Sequence, residues 1–203
     1  MLSFRRNTGA IVLDHLLSPV NRRYGTYRGW IRLVLAQSEH WAGRLRQYDS
    51  PDLGAVKRLV FACQGNICRS CFADYVAQKA GVPSASFGLS TTTGVPANPH
   101  AIAAAVKCGI DLLPHRVTDV GDFEFRDGDL VLVMEVLQAR KLQTLLPQRK
   151  FQLGLLGLWA GPQRPHIHDP FSLSAEYFDT CFAVIENAVF NLMEDLRQAK
   201  GAT

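Results

Sequence analysis

No run of apolar residues in this 203-residue chain approaches the ~18 needed to cross a bilayer. Ala10-Ile11-Val12-Leu13 is short, and the stretch from Ile31 to Ala36 is broken by Arg32. No secretory apolar region with a small-residue cleavage site follows Met1, so a soluble, cytoplasmic protein is expected. Lysine is missing from residues 1–50, which carry eight arginines against Asp14, Glu39 and Asp49. The cysteines do not pair off. There are five: Cys63, Cys68, Cys71, Cys108 and Cys181. An odd count without a signal peptide argues against a disulfide scaffold and for a reducing compartment. Three of them fall within nine residues but lack the distant Cys or His pair of a structural zinc site, and nothing near His166 and His168 completes one. Neither a metal nor a cofactor is expected. No nucleic-acid motif is present, so no nucleic-acid partner is expected.

What is there suits one globular domain with an appendage. Hydrophobic residues make up 47% of the chain and charged residues 20%. The net charge is +4, yet residues 1–50 alone carry +5. That asymmetry points to a partner surface rather than to the chemistry. Ala10 to Leu17 reads as a short helix. From Tyr27, apolar residues recur at Trp30, Ile31, Val34, Trp41 and Leu45 with helical spacing, and Arg28, Arg32, Glu39 and Arg46 fall largely on the other face. Residues 49–54 form a turn or linker.

Beyond it the pattern alternates. Strands are expected at Arg58–Ala62, Ser84–Ser90, Leu130–Met134 and Phe151–Leu155. Helices are expected at Ser70–Ala80, Asn98–Lys107, Glu135–Leu146 and Ala175–Leu196. The fold class is therefore α/β: a three-layer domain over residues 57–203, with a four-stranded parallel sheet and helices on both faces, plus a helical N-terminal extension over residues 1–56. Ligands in such sheets bind beyond the carboxyl ends of the strands, where the loop after the first strand falls.

That loop is Cys63-Gln64-Gly65-Asn66-Ile67-Cys68-Arg69-Ser70. Attack on a phosphate ester needs an ionised nucleophile, donors around three oxygens and a proton for the leaving group. A thiol at a helix N-terminus beside an arginine is held as thiolate more readily than a free one, and Cys63 is at such a position. Successive amides can turn inward as an anion nest, with Gly65 and Asn66 most able to adopt positive φ. Arg69 supplies a planar fork for two equatorial oxygens. The Ser70 hydroxyl can donate to the thiolate and ease its departure in the second step.

The loop resembles the signature of the low-molecular-weight tyrosine phosphatases, and the resemblance runs from about Lys57 to Arg197. Gly94-Val95-Pro96-Ala97-Asn98-Pro99, Gly109-Ile110-Asp111-Leu112 with His115-Arg116, and Asp169-Pro170-Phe171 extend it. Leu156-Gly157-Leu158-Trp159 is similar to bacterial members linked to exopolysaccharide export. The resemblance implies Cys63 as nucleophile, Gln64 to Arg69 as the phosphate loop, and Asp169 as general acid, with Pro170 stiffening its loop. It implies a supporting network of Asn66, Ser70, Ser90 and His115. It implies a pocket wall of Gln64 and Phe171, and a reversible Cys63–Cys68 disulfide.

The substrate implied is a phosphotyrosine protein, with a tyrosine kinase of polysaccharide export as candidate partner. Cys71 stands where most relatives carry Pro, Phe171 where many carry Tyr, and Gln64 replaces a commonly apolar residue. Residues 1–56 lack a counterpart in compact members. They read as helices packed on the domain, a dimer contact or a membrane-surface element. Two rivals share the loop: a thiol-dependent arsenate reductase, although Glu135 to Gln143 lacks the cysteines it would use, and a non-catalytic binder of phosphorylated partners.

Overall fold

The computed structural model describes residues 18–148 and 150–201; the helix expected at Ala10–Leu17 lies outside them. Four parallel strands, β1 (Arg58–Cys63), β2 (Ser84–Gly88), β3 (Asp129–Val133) and β4 (Gln152–Leu155), lie in the order β2-β1-β3-β4. β2 stops two residues short of the expected Ser90. Beyond it, Leu89 N–H donates to Cys63 O and Ser90 N–H to Gln64 O, so the chain follows the loop after β1 rather than the sheet.

Side chains alternate across a strand, so each buried strand feeds two cores. Leu59, Phe61 and Cys63 face helices α4 (Arg69–Lys79), α5 (Pro99–Lys107) and α7 (Ala175–Gly201). Val60, Ala62, Val131 and Val133 face α6 (Val136–Leu145) and part of the N-terminal segment. Full burial of an aromatic such as Phe61 or Phe72 contributes about 1.5–3 kcal/mol, and both side chains are fully buried. At α5, Asn98 accepts from His100 N–H and Ala101 N–H and Pro99 occupies the first turn, which fixes where that helix starts.

The N-terminal segment supplies α1 (described over residues 18–24), α2 (Tyr27–Trp41) and α3 (Arg46–Asp49). Helices do pack on the domain here, but not by the expected stripe. α2 lies inward on Gly29 and Ala36, whereas Tyr27, Trp30, Ile31, Val34, Leu35 and Trp41 are exposed. Small residues permit closer approach, so the bulky face is left outside. Leu45 and Tyr48 follow the helix and are buried in the second core, with Tyr48 Oη donating to Gln143 Oε1 at 2.9 Å. Among the described residues, no helix is long and apolar enough to cross a membrane.

Candidate active site

β1 delivers Cys63 to the carboxyl edge of the sheet, opposite Gly88. The chain then turns through residues 64–68 and enters α4 at Arg69. Asn66 carries the turn at φ 54°, the left-handed region Asn tolerates best after Gly, while Gly65 takes no positive φ. Asn66 is 0% exposed and every polar end of it is used. Its amide N–H donates to Cys63 Sγ at 3.3 Å, and its Nδ2 donates to Ser70 Oγ at 2.9 Å. Its Oδ1 accepts from Thr118 N–H at 3.1 Å, and its carbonyl accepts from His115 Nε2 at 2.8 Å. A carbonyl cannot donate, so the proton of His115 sits on Nε2. Ser70 Oγ lies 3.0 Å from Cys63 Sγ. The N–H groups of Gly65, Ile67 and Cys68 find no acceptor among the described residues.

Ser90 stands outside this network. Its side chain is exposed, and only its backbone N–H reaches the loop, at Gln64 O. Past the end of β2 the alternation turns Leu89 inward and Ser90 outward; the place expected for Ser90 is filled by Thr118 N–H. Thr118 carried no sequence signal. Gly88 likewise carries no sequence signal: a Cβ there would sit 3.0 Å from Gly65 C and 3.2 Å from Asn66 Cβ, so only Gly lets β2 meet the loop.

Arg69 is 1% exposed, and its fork is already engaged. Nη1 donates to Glu135 Oε1 at 2.6 Å and to Ile167 O at 2.9 Å; Nη2 donates to Asp169 Oδ2 at 2.5 Å. Nε is buried and finds no hydrogen-bond partner among the described residues. Burial opposes the charge, but Asp169, Glu135 and Cys63 outweigh it and hold the guanidinium protonated. Glu135 pays the same burial penalty, and Arg69 and His166 overcome it, so its carboxyl titrates below the usual range. The sequence pattern marks Glu135 only as a helix start. Its signal was an acid at the carboxyl end of a buried strand, the edge where sites form.

A cleft of about 180 Å³ opens above the sulfur, lined by Cys63, Gln64, Gly65, Ile67, Cys68, Asp169 and Phe171. Asp169 Oδ1 accepts from Phe171 N–H at 3.2 Å, which ties the carboxylate to the half-exposed aromatic at the mouth. All five cysteines are free thiols. Burial, with the charge of Cys63 next, pushes the Cys68 and Cys71 thiols up and keeps them neutral; Cys71 Sγ donates to Cys68 O at 3.2 Å. Burial lowers His115 against the pull of its carbonyl partner, and lowers His166 to about 4.

Residues 58–202 match the family model for low molecular weight phosphotyrosine protein phosphatase. A probable low molecular weight protein-tyrosine-phosphatase, EpsP, of Ralstonia solanacearum is 31% identical over 136 residues, 66% of this chain and 92% of its own. The crystal structure of the Erwinia amylovora tyrosine phosphatase AmsI is 29% identical with a TM-score of 0.62, over 69% of this chain and 93% of that one. Vibrio vulnificus Wzb in complex with benzylphosphonate is 26% identical with a TM-score of 0.59, over 70% and 98%. The matched span holds all four strands and the loop from Cys63 to Ser70, and on that ground the chain belongs to the low molecular weight phosphotyrosine protein phosphatase family.

Proposed function

We propose that the protein hydrolyses phosphotyrosine and other aryl phosphate monoesters, with Cys63, Arg69 and Asp169 carrying the chemistry. The observation behind this is a single one. A sulfur held by an amide and a hydroxyl shares a cleft with a carboxylate, and that carboxylate is paired to a buried guanidinium. Cys63 Sγ attacks phosphorus as the bond to the aryl oxygen breaks, and the Asp169 carboxyl gives its proton to that oxygen. Water then attacks the cysteinyl phosphate, Asp169 takes its proton, and the sulfur leaves as thiolate toward Ser70 Oγ. The loop amides and Arg69 stabilise the equatorial oxygens throughout. An arriving dianion takes up donors that Arg69 shares with Asp169.

With p-nitrophenyl phosphate, Cys63→Ser should reduce turnover to background. Equal rates would leave a non-catalytic phosphate binder, and thioredoxin-dependent arsenate reduction would instead support the reductase. Asp169→Ala should cost about 10²–10⁴-fold on esters with poor leaving groups such as phenyl phosphate, and far less on p-nitrophenyl phosphate. The substrate is a tyrosine-phosphorylated protein; the similarity at Leu156–Trp159 supports a kinase of polysaccharide export.

The division of labour follows the same reading: chemistry in residues 57–203, surface contact in residues 1–56. The outward stripe of α2 with Arg22, Arg23, Arg28, Arg32, Arg44 and Arg46 nearby fits an anionic bilayer surface. Among the described residues of this segment Glu39, Asp49 and Asp52 are the acids, against six arginines, so two copies would bring arginines together. Vesicles of phosphatidylglycerol should sediment the protein, those of phosphatidylcholine should not, and Ile31→Glu with Trp41→Glu should abolish binding. Sedimentation as a dimer without vesicle binding overturns this assignment.

A further inference from the structure

The segment that carries Asp169 is clamped from two sides. On the site side, Ile167 N–H donates to Met134 O at 2.9 Å, and Ile167 O accepts from Arg69 Nη1. On the other side, the ring of His168 points away from the cleft into the junction between α1 and α2. There Thr26 Oγ1 and His168 Nε2 are hydrogen-bonded at 3.1 Å. The same Thr26 Oγ1 caps α2 by accepting from Gly29 N–H at 2.9 Å. Packing at this junction is close at both of its glycines. A Cβ on Gly25 or on Gly29 would lie 2.7 Å from His168 Cδ2, and one on Gly29 also 2.3 Å from Tyr24 O. Gly25 sits at φ +80°, so glycine is required there by conformation as well. Behind the ring, His168 O accepts from Tyr177 Oη at 3.2 Å, and Arg164 Nη1 donates to Arg23 O at 3.3 Å.

We infer that Thr26 is a positioning residue for the reaction: through His168 it holds the backbone that aims the Asp169 carboxyl at the leaving oxygen. The inference rests on the proposed phosphatase reading and deepens it. The residue lies in the N-terminal extension, outside residues 58–202 matched by the family model, so in this chain part of the acid's alignment comes from a segment beyond that span. The physical ground is tolerance. Proton transfer depends steeply on heavy-atom separation, and a displacement near 1 Å can cost ~10²-fold. Asp169 follows His168 directly, and among the described residues its carboxylate is hydrogen-bonded by Phe171 N–H and Arg69 Nη2.

The test is kcat/KM of the full chain on two aryl phosphates: p-nitrophenyl phosphate, whose phenolate leaves unaided, and phenyl phosphate, whose phenolate needs the proton. Thr26→Val should lower the phenyl phosphate value about tenfold and the p-nitrophenyl value by no more than about twofold. Thr26→Ser, which keeps the hydroxyl, should restore both. In an Asp169→Ala background, Thr26→Val should have no further effect, because a residue acting through Asp169 has nothing left to position. Should Thr26→Val not accumulate folded, His168→Ala should give the same selective loss. Equal losses on both esters, or an undiminished effect in the Asp169→Ala background, would reduce Thr26 to a helix cap and overturn the inference. Absence of Cys63-dependent turnover in the wild type would instead remove the phosphatase reading itself.

Discussion

Glu135 decides how much charge the site can hold. Arg69 is fully buried and has two carboxylates, of which only Asp169 faces the cleft. If Asp169 is to change protonation during turnover, the guanidinium needs a second, permanent counterion, and Glu135 is held below the usual carboxylate range for that purpose. Removing one partner of a buried pair leaves a charge uncompensated, so Glu135→Ala should lower unfolding free energy by about 3 kcal/mol in urea titrations. Glu135→Gln keeps an acceptor for Arg69 Nη1 and should cost less. At this scale the sequence was legible where covalent spacing sets geometry. Cys63, Asn66, Arg69 and Ser70 lie within one turn and the start of one helix, so their meeting follows from local structure. Glu135 and Thr118 reach the loop across 66 and 52 positions of chain, and nothing local announces them.

Among the elements, α2 is the one whose pattern misleads. Its apolar residues recur at helical spacing, which ordinarily marks a buried face. Here Gly29 and Ala36 make the close approach, because His168 and Tyr24 O leave no room for larger side chains at Gly29. Trp41 is 79% exposed as a result. Burial passes instead to the short connection after the helix. Tyr48 is 1% exposed, and a Cβ on Gly154 would sit 3.4 Å from its carbonyl, so this stretch lies directly on β4. Tyr48→Ala should therefore destabilise the whole protein by about 3 kcal/mol in thermal or urea unfolding. Trp41→Ser, on the outer face, should leave stability within about 0.5 kcal/mol. Equal effects would mean that the two faces of the extension are packed alike.

On the scale of the whole molecule, the histidines behind the site set its response to acid. His166 is buried against Glu135, and its basicity is lowered to about 4, chiefly by burial, with His168 and Arg69 adding to it while Glu135 opposes. His168 and His115 are lowered in the same direction. A histidine that binds its proton more weakly when folded contributes stability above its unfolded value of ~6.5, and loses it as pH falls toward the folded value. For His166 alone this amounts to about 2 kcal/mol between pH 7.5 and pH 5. Urea midpoints should fall over that range in the wild type and fall less in His166→Phe. An identical slope in both would show that His166 is not buried neutral.

The order of strands and helices, the loop from Cys63 to Ser70 and the turn after Asp169 were determined by sequence alone, because each is set within a few residues by periodicity, capping or backbone stereochemistry. The second counterion of Arg69, the outward stripe of α2 and the grip of Thr26 on His168 were decided only in the tertiary structure. Each depends on which distant surface comes to lie alongside, and hydrophobic pattern carries no address for that.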